Sequence, residues 1–495
     1  MNWAGKKILV LGLGESGLAM ARWSAYCKAS VCVADTRESP DRLPQLREWV
    51  PDCRFMSGPF SVKGLNQFDV IAVSPGLRPE VELKDILPFA REHGIPVWSE
   101  IEMFAQALKG LEEGTAYKPN ILAVTGTNGK TTVTSLTGHM CRRAGKTVRL
   151  AGNISPAALD VLLDVIEKNE LPDVWVLELS SFQLFTTYSL EADAATVLNL
   201  TQDHLDWHGS MQAYGEAKAR IFGAKTVRIL NREDAAVMKM ASPDSPVLTF
   251  GTDEPTEPGS FGLHLDRDME WLAVMSPVED GIVRRNRKND VPVEYAVQNL
   301  MPAGALKIRG RHNAGNALAA LALCRAIQLP FAPLLQALSD YRGERHRVEL
   351  IATVKTVSYI DDSKGTNVGA TVAAVNGLGE KGRKNIILIA GGLGKDQDFS
   401  PLSDVVARYV KAVMLIGKDA KQIHDALAET GIPLVYTDSL EHAVEEAAKM
   451  AQENDTVLLS PACASMDMFR NYAHRSEVFA DAVREVASAC GEVMP

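Results

Sequence analysis

The segment Thr125-Gly126-Thr127-Asn128-Gly129-Lys130-Thr131-Thr132 has the composition of a loop that cradles phosphate. Gly126 and Gly129 would let the N–H groups of Thr127 and Asn128 approach an anion. Lys130 would neutralise the β/γ-phosphates of a nucleotide, and Thr131 would reach its magnesium ion. The usual first glycine of such a loop is replaced by Val124, so the reading rests on placement: the apolar run NILAV precedes the loop and a helical pattern follows it. ATP binding is the expectation. Glu178 closes a second apolar run, VWVLE, where a carboxylate reaches a metal beside a phosphate loop. Asp203-His204-Leu205-Asp206 follows TVLNLTQ and either binds a metal or solvates a loop.

Other candidates are spread along the chain. Gly12-Leu13-Gly14-Glu15-Ser16-Gly17 follows a first apolar strand, and Asp35 ends a second. Small residues at such a turn admit a phosphate, and the acid contacts a ribose or base. Taken alone, this segment leaves NAD, another nucleotide or a purely structural turn open. His312, Asn313 and Asn316 open a long helical stretch, with His312 and Asn316 on one face, either as caps or as nucleotide contacts. Lys364 and Lys395 each follow a strand; as a pair they suit a dicarboxylate, and otherwise they are ordinary loop lysines. Ser465 and Tyr472 place hydroxyls after a third strand.

Strands and helices alternate throughout, which predicts α/β architecture with parallel sheets. In residues 1–108, KKILVLGL, SVCVAD and FDVIAVSPG read as strands and SGLAMARWSAY as a helix, with KGLEEGTAYKPN as a linker. Residues 109–343 carry the strands DVWVLELSS and ADAATVLNL. From Gly251 to Lys307 they become irregular, with a strand pair in SFGLHL and EWLAVM and a charged run at 284–290. Residues 344–495 return to strands VSYIDDS, NIILIAGG, AVMLIG and DTVLLSPA between helices, again as a parallel sheet.

The bulk numbers agree. A chain of 495 residues is too long for one core and suggests about three domains. Its net charge of −10 disfavours a general nucleic-acid surface. Seven scattered cysteines without a C-x-x-C read as reduced thiols of a cytoplasmic protein. Lys6-Lys7 before an apolar run invites a leader-peptide reading, but Glu15 and Arg22 follow too soon. With no apolar stretch of roughly 18 residues, no membrane partner is expected.

The ordered motifs T-G-T-N-G-K-T, L-E-L-S-S-F-Q, N-x-T-x-D-H-L-D, A-K-x-R-I-F, H-N-x-x-N, R-x-H-R-x-E, D-D-S-K-G-T-N and S-P-A-C-A-S-x-D resemble the Mur ligases over nearly the whole chain. The resemblance implies a Rossmann-like N-terminal domain for a uridine nucleotide, a central P-loop ATPase domain and a C-terminal Rossmann-like domain for the incoming amino acid. The last two motifs, with G-L-G-x-S-G-L and Asp35-Thr36-Arg37, are similar to the member that joins D-glutamate to UDP-N-acetylmuramoyl-L-alanine. By resemblance, Gly14, Ser16, Asp35, Thr36, Arg37 and Gly76 line the uridine end, with Asn153 and His204 nearer the muramoyl-alanine. Glu178 and Thr131 hold one magnesium, and His204 with a carbamylated Lys218 holds a second. Asn316, Arg347 and Asp362 contact the adenine nucleotide; Lys364, Thr366, Lys395, Ser465 and Tyr472 form the D-glutamate pocket. Lys130, Glu178, His204 and Lys218 form the implied catalytic set, in a monomer acting on small molecules. Three departures stand out: the length before Lys307, Leu393 where a polar residue is common, and Arg311 just before His312. A P-loop small-molecule kinase and an L-glutamate-adding relative are the alternatives.

Overall fold

The computed structural model describes residues 3–278, 294–308, 310–380, 382–395 and 397–492; the charged run at 284–290 lies outside them. Among the described residues, three α/β sheets organise the chain, as the alternation of its elements predicts. Two compact units contain them. One holds the chain to Leu200 with His204–Pro302 and Ala317–Leu338; the other holds Thr201–Asp203, Ala303–Asn316 and the chain from Ser339.

The first unit begins with five parallel strands, in spatial order Arg54–Ser57, Ser30–Asp35, Lys7–Leu11, Val70–Val73 and Val97–Trp98. The run after Lys6-Lys7 is therefore the central strand. Its side chains alternate as a strand's must: Ile8 and Val10 enter one core, Leu9 and Leu11 the other. The winding direction reverses between Lys7–Leu11 and Val70–Val73, which opens a crevice at their carboxyl ends.

The stretch expected to be a linker is largely helical. Helix Glu100–Thr115 runs through Lys109–Thr115 and ends at Ala116, whose φ of 57° stops it. Its buried Ile101, Met103, Phe104 and Leu108 continue the apolar face that the charged tail KGLEEGT obscures in the sequence. Phe104 meets Trp175 edge-on at 5.0 Å, so the helix is anchored in the next sheet. Each such fully buried side chain contributes roughly 1.5–3 kcal/mol.

That next sheet has nine strands among the described residues. Its parallel part runs Ser260–Asp266, Val247–Phe250, Val227–Asn231, Ala194–Val197, Asn120–Thr125, Val174–Glu178, Val148–Gly152, with Met269–Pro277 and Tyr295–Pro302 added antiparallel beyond Ser260–Asp266. The expected strand pair forms from Ser260–Asp266 and Met269–Pro277, and it is antiparallel, with Phe261 opposite Val274. The third strand, Tyr295–Pro302, makes the region more regular than its sequence suggests. Only Met301 of that strand is buried, so no alternation marks it.

In the second unit the strands run Glu349–Val354, Val357–Asp361, Thr456–Leu459, Ile386–Gly391, Val410–Ile416 and Leu434–Tyr436. Ile386, Leu388 and Ala390 face one core, Ile387 and Ile389 the other. The sheet is parallel except at Glu349–Val354, which pairs antiparallel with Val357–Asp361. That hairpin turns on Lys355 and Thr356, with φ of 46° and 69°. Both values fit a tight two-residue turn, which Asn-Gly usually announces and Lys-Thr does not. Among the described residues, no helix is long and apolar enough to cross a membrane.

Candidate active site

Gly12, Gly14, Ser16, Asp35, Thr36, Arg37, Ser74 and Gly76 line one pocket of about 400 Å³ at the crevice of the first sheet. Every uridine-end residue expected at this loop is therefore gathered there. Gly17 lets the helix Glu15–Tyr26 close on the turn: a Cβ on it would stand 1.9 Å from the Gly12 carbonyl oxygen. Gly14 faces open space. Asp35 is buried, and its carboxylate accepts hydrogen bonds from the Leu13 N–H at 2.7 Å and the Arg37 N–H at 2.9 Å. The Arg37 guanidinium grips both its oxygens at 2.9 Å. Burial would raise its pKa, but these donors outweigh that and hold it at about 2. Asn153 lies elsewhere, donating to Glu178 Oε1 at 2.7 Å.

The phosphate loop follows the middle strand, Asn120–Thr125, and leads into helix Lys130–Arg143 through Gly129, whose φ is 83°. Gly126, at φ 151°, packs against Leu198, where a Cβ would be 2.9 Å from that residue's own. Asn199 pins the loop: its Oδ1 accepts from the Asn128 N–H at 2.8 Å and its Nδ2 donates to the Asn128 carbonyl at 3.2 Å. Asn199 was absent from the expected set, although it opens the N-x-T-x-D-H-L-D motif. Thr131 and Thr132 are buried in the first turn. Lys130 Nζ donates to the carbonyls of Gly126 and Thr127, both at 2.9 Å.

Glu178 ends the strand beside this loop and is 2% exposed. The turn after it is fixed by a capping box, in which Ser180 and Gln183 satisfy each other's donors and acceptors. Its Oε2 is buried with no hydrogen-bond partner. A buried carboxylate oxygen without a donor is costly, and a divalent cation is the partner its chemistry fits. His204 has a φ of 55° and opens the short helix Leu205–His208, its ring edge-on to Phe182 at 4.7 Å. Lys218, 1% exposed, donates to the Gly126 carbonyl at 2.9 Å, the same oxygen that Lys130 uses. Tyr214 supports it, with its ring 4.7 Å from Lys218 Nζ and its hydroxyl 3.1 Å from that of Thr127. His208 stands beside this group with Nε2 2.9 Å from Ser181 Oγ; burial, then the charge of Lys218, holds its pKa at about 4.

The second unit carries the remaining candidates. Asn316 donates to Asn313 Oδ1 at 3.0 Å in the first turn of helix Arg311–Ala326. His312 is packed rather than presented: a Cβ on Gly310 or Gly377 would be 2.7 Å from its ring. Asp362 is buried after Val357–Asp361 and accepts from Ser460 Oγ at 2.7 Å. Burial pushes it up to about 7 against the pull of Ser460 and Arg347. Lys364 Nζ lies 5.5 Å from the Tyr472 ring, and the Thr366 N–H donates to the Lys364 carbonyl at 3.0 Å. Lys395 is exposed at φ 54°, on a loop joined to that of Ser465 by hydrogen bonds of 2.9 Å between Leu393 and Ala464. The apolar Leu393 thus serves through its backbone. Arg475, fully buried and absent from the expected set, joins two of these loops. Its Nη2 donates to the Ser363 carbonyl at 2.7 Å and its Nη1 to that of Cys463 at 3.2 Å.

Comparison with known proteins places these features. Residues 6–99 match the Mur ligase MurD-like N-terminal domain, 124–324 the Mur ligase middle domain, and 346–463 the Mur ligase glutamate ligase domain. The chain is 57% identical to the UDP-N-acetylmuramoylalanine–D-glutamate ligase of Ralstonia nicotianae, covering 98% of each. The chain belongs to the Mur ligase family. The ligase of the same name from Burkholderia multivorans is also 57% identical, over 97% of each chain. A MurF ligase from Thermotoga maritima, solved in complex with ADP, shares the fold with a TM-score of 0.57 at 14% identity, over 98% of this chain and 96% of that one. In this Mur ligase the whole pocket of Gly12–Leu77 falls in the MurD-like match, and the phosphate loop, Glu178 and Lys218 fall in the middle-domain match. Ser465 and Tyr472 lie just past the glutamate-ligase match.

Proposed function

We propose that the chain ligates D-glutamate to UDP-N-acetylmuramoyl-L-alanine at the expense of ATP, a step of peptidoglycan precursor synthesis. The observation that carries this reading is whole-length identity of 55–57% to curated ligases of that name. The γ-phosphoryl group of ATP passes to the alanyl carboxylate, giving an acyl phosphate and ADP. The amine of D-glutamate attacks that carbonyl, and the tetrahedral adduct collapses to amide and phosphate. Lys130 and the N–H groups of the phosphate loop hold charge on the moving phosphoryl group, so the residues act mainly by position and electrostatics. Lys364, Thr366, Lys395, Ser465 and Tyr472 receive the glutamate; Asn316, Arg347 and Asp362 hold the adenine nucleotide. The pocket from Gly14 to Gly76 holds the uridine nucleotide, with Asn153 and His204 toward its muramoyl-alanine arm.

Magnesium is the cation proposed at Thr131 and Glu178, with a second at His204 and Lys218; it would neutralise phosphate oxygens during transfer. The unpartnered Oε2 of Glu178 supports the first position. Lys218 as an ammonium would repel a cation, and it shares its acceptor with a second ammonium, that of Lys130. Addition of carbon dioxide to the neutral Lys218 amine, with loss of a proton, would replace that positive charge with a carbamate whose oxygens can hold the cation. All seven cysteines are free thiols, which suits the cytoplasm. The test is phosphate release from ATP with UDP-N-acetylmuramoyl-L-alanine and either D- or L-glutamate. Release that depends on the D-isomer is expected; release with the L-isomer alone changes the product, and release with neither overturns the reading.

A further inference from the structure

Glu100 is a buried acid that the reaction does not use. It is the first residue of helix Glu100–Thr115, beside the sheet that carries the uridine-end pocket, and it is 0% exposed. Its Oε1 accepts the Leu159 N–H at 2.6 Å, and its Oε2 is buried without a partner. Leu159 lies in the first turn of helix Ala158–Glu167, whose own N-cap residue, Ala157, supplies no side-chain acceptor. The orphan donor at that helix start is therefore satisfied from another element. Retaining an acid there is expensive: burial raises its pKa first of all, the Leu159 N–H opposes, and Asp160 and Glu15 raise it further, to about 7.

The segment that this contact fixes is the short connection from Gly152 to Ala157. At one end Asn153 donates to Glu178 Oε1 at 2.7 Å. In its middle Ser155 Oγ donates to Glu15 Oε1 at 2.5 Å, and Glu15 lines the pocket of Gly14 and Asp35. At its far end Arg22, from the pocket's own helix, meets Asp160 at 3.0 Å. The connection thus spans from the metal-facing carboxylate to the nucleotide pocket, the two ends between which a nucleotide-linked carboxylate substrate must be stretched.

We propose that Glu100 is a positioning residue for the carboxylate substrate, capping helix Ala158–Glu167 from outside so that the 152–157 connection is held between Glu15 and Glu178. This rests on the ligase reading above. It is tested on the intact protein by comparing E100A, E100D and E100Q with wild type, varying one substrate at a time. E100A should raise KM for UDP-N-acetylmuramoyl-L-alanine by about five- to tenfold, the size of a lost cap expressed as affinity. KM for ATP and D-glutamate should stay within about twofold, the scatter of a change with no direct contact. E100Q keeps an oxygen acceptor and should restore wild-type KM. E100D keeps the charge but loses reach, so it should behave as E100A and covers the case in which E100A fails to fold. Absence of turnover in wild type would overturn the ligase reading and this inference together. Wild-type turnover with unchanged KM in E100D, or equal loss in E100Q and E100D, would overturn the positioning role alone.

Discussion

Two loops in the first unit are built on the same local plan, a strand, a glycine-rich turn and a helix, yet their charged surroundings differ. The loop at Gly12–Gly17 is flanked by a carboxylate, Asp35, locked by Arg37 and by the Leu13 N–H. The loop at Gly126–Lys130 has two lysine side chains, Lys130 and Lys218, meeting on one carbonyl, and with Lys218 carbamylated as proposed above it is Lys130 that keeps the positive charge. Glycine spacing therefore states only that backbone can come close to a ligand. In the function proposed above, charge supplied by neighbouring strands and helices is what separates a loop that binds a nucleotide at rest from one that stabilises phosphate in transfer.

The largest effect that would sharpen this contrast is K130A. Loss of the Lys130 ammonium, which the proposed reaction sets against the transferred phosphoryl group, should lower kcat by about 10²–10³-fold, by analogy with removal of a preorganised donor. Binding of the UDP-substrate, read by calorimetry, should survive. Turnover near wild type would erase the distinction between the loops.

At the first loop, D35N should act on binding rather than on chemistry, raising KM for the UDP-substrate by about tenfold, the weight of one lost buried charged hydrogen bond. Because folding lowers the Asp35 pKa from 3.8 to about 2, its stabilisation is complete above 3.8 and lost as pH falls toward 2. The depression corresponds to about 2 kcal/mol. Thermal unfolding should therefore show wild type above D35N at neutral pH, with the gap closing across that acid window. A gap independent of pH would refute the assignment.

The smallest effect separates two glycines of one motif. G17A drives a Cβ into the Gly12 carbonyl and should lower stability by about 1–3 kcal/mol, as overpacking does. G14A meets open space at an ordinary φ of −92° and should leave Tm nearly unchanged while raising KM for the UDP-substrate. Equal losses of stability would mean that both glycines serve packing.

Sequence made the alternation of elements legible, and with it the sheets and their loop-borne candidates. Buried parallel strands such as Val174–Glu178 and Ile386–Gly391 announce themselves as unbroken apolar runs. The misses have physical causes. Lys109–Thr115 carries too much charge to show its helical face, Tyr295–Pro302 is too exposed to alternate, and Lys355-Thr356 turns without a glycine. At the site, motifs exposed the residues that would touch ligands but not those that hold them. Asn199, Tyr214 and Arg475 work through backbone carbonyls, backbone N–H groups or ring faces, and no spacing rule encodes such partners.

Arg475 sets a condition on how the loops proposed to receive the amino acid can be altered. Because one guanidinium holds the Ser363 and Cys463 carbonyls, the loops bearing Lys364 and Ser465 are mechanically one part. An engineer grafting a different acceptor preference would need to transplant both segments along with the helix Tyr472–Ala489 that carries the arginine. A lineage drifting toward a new amino acid would face the same constraint, its viable routes lying among coordinated rather than single replacements.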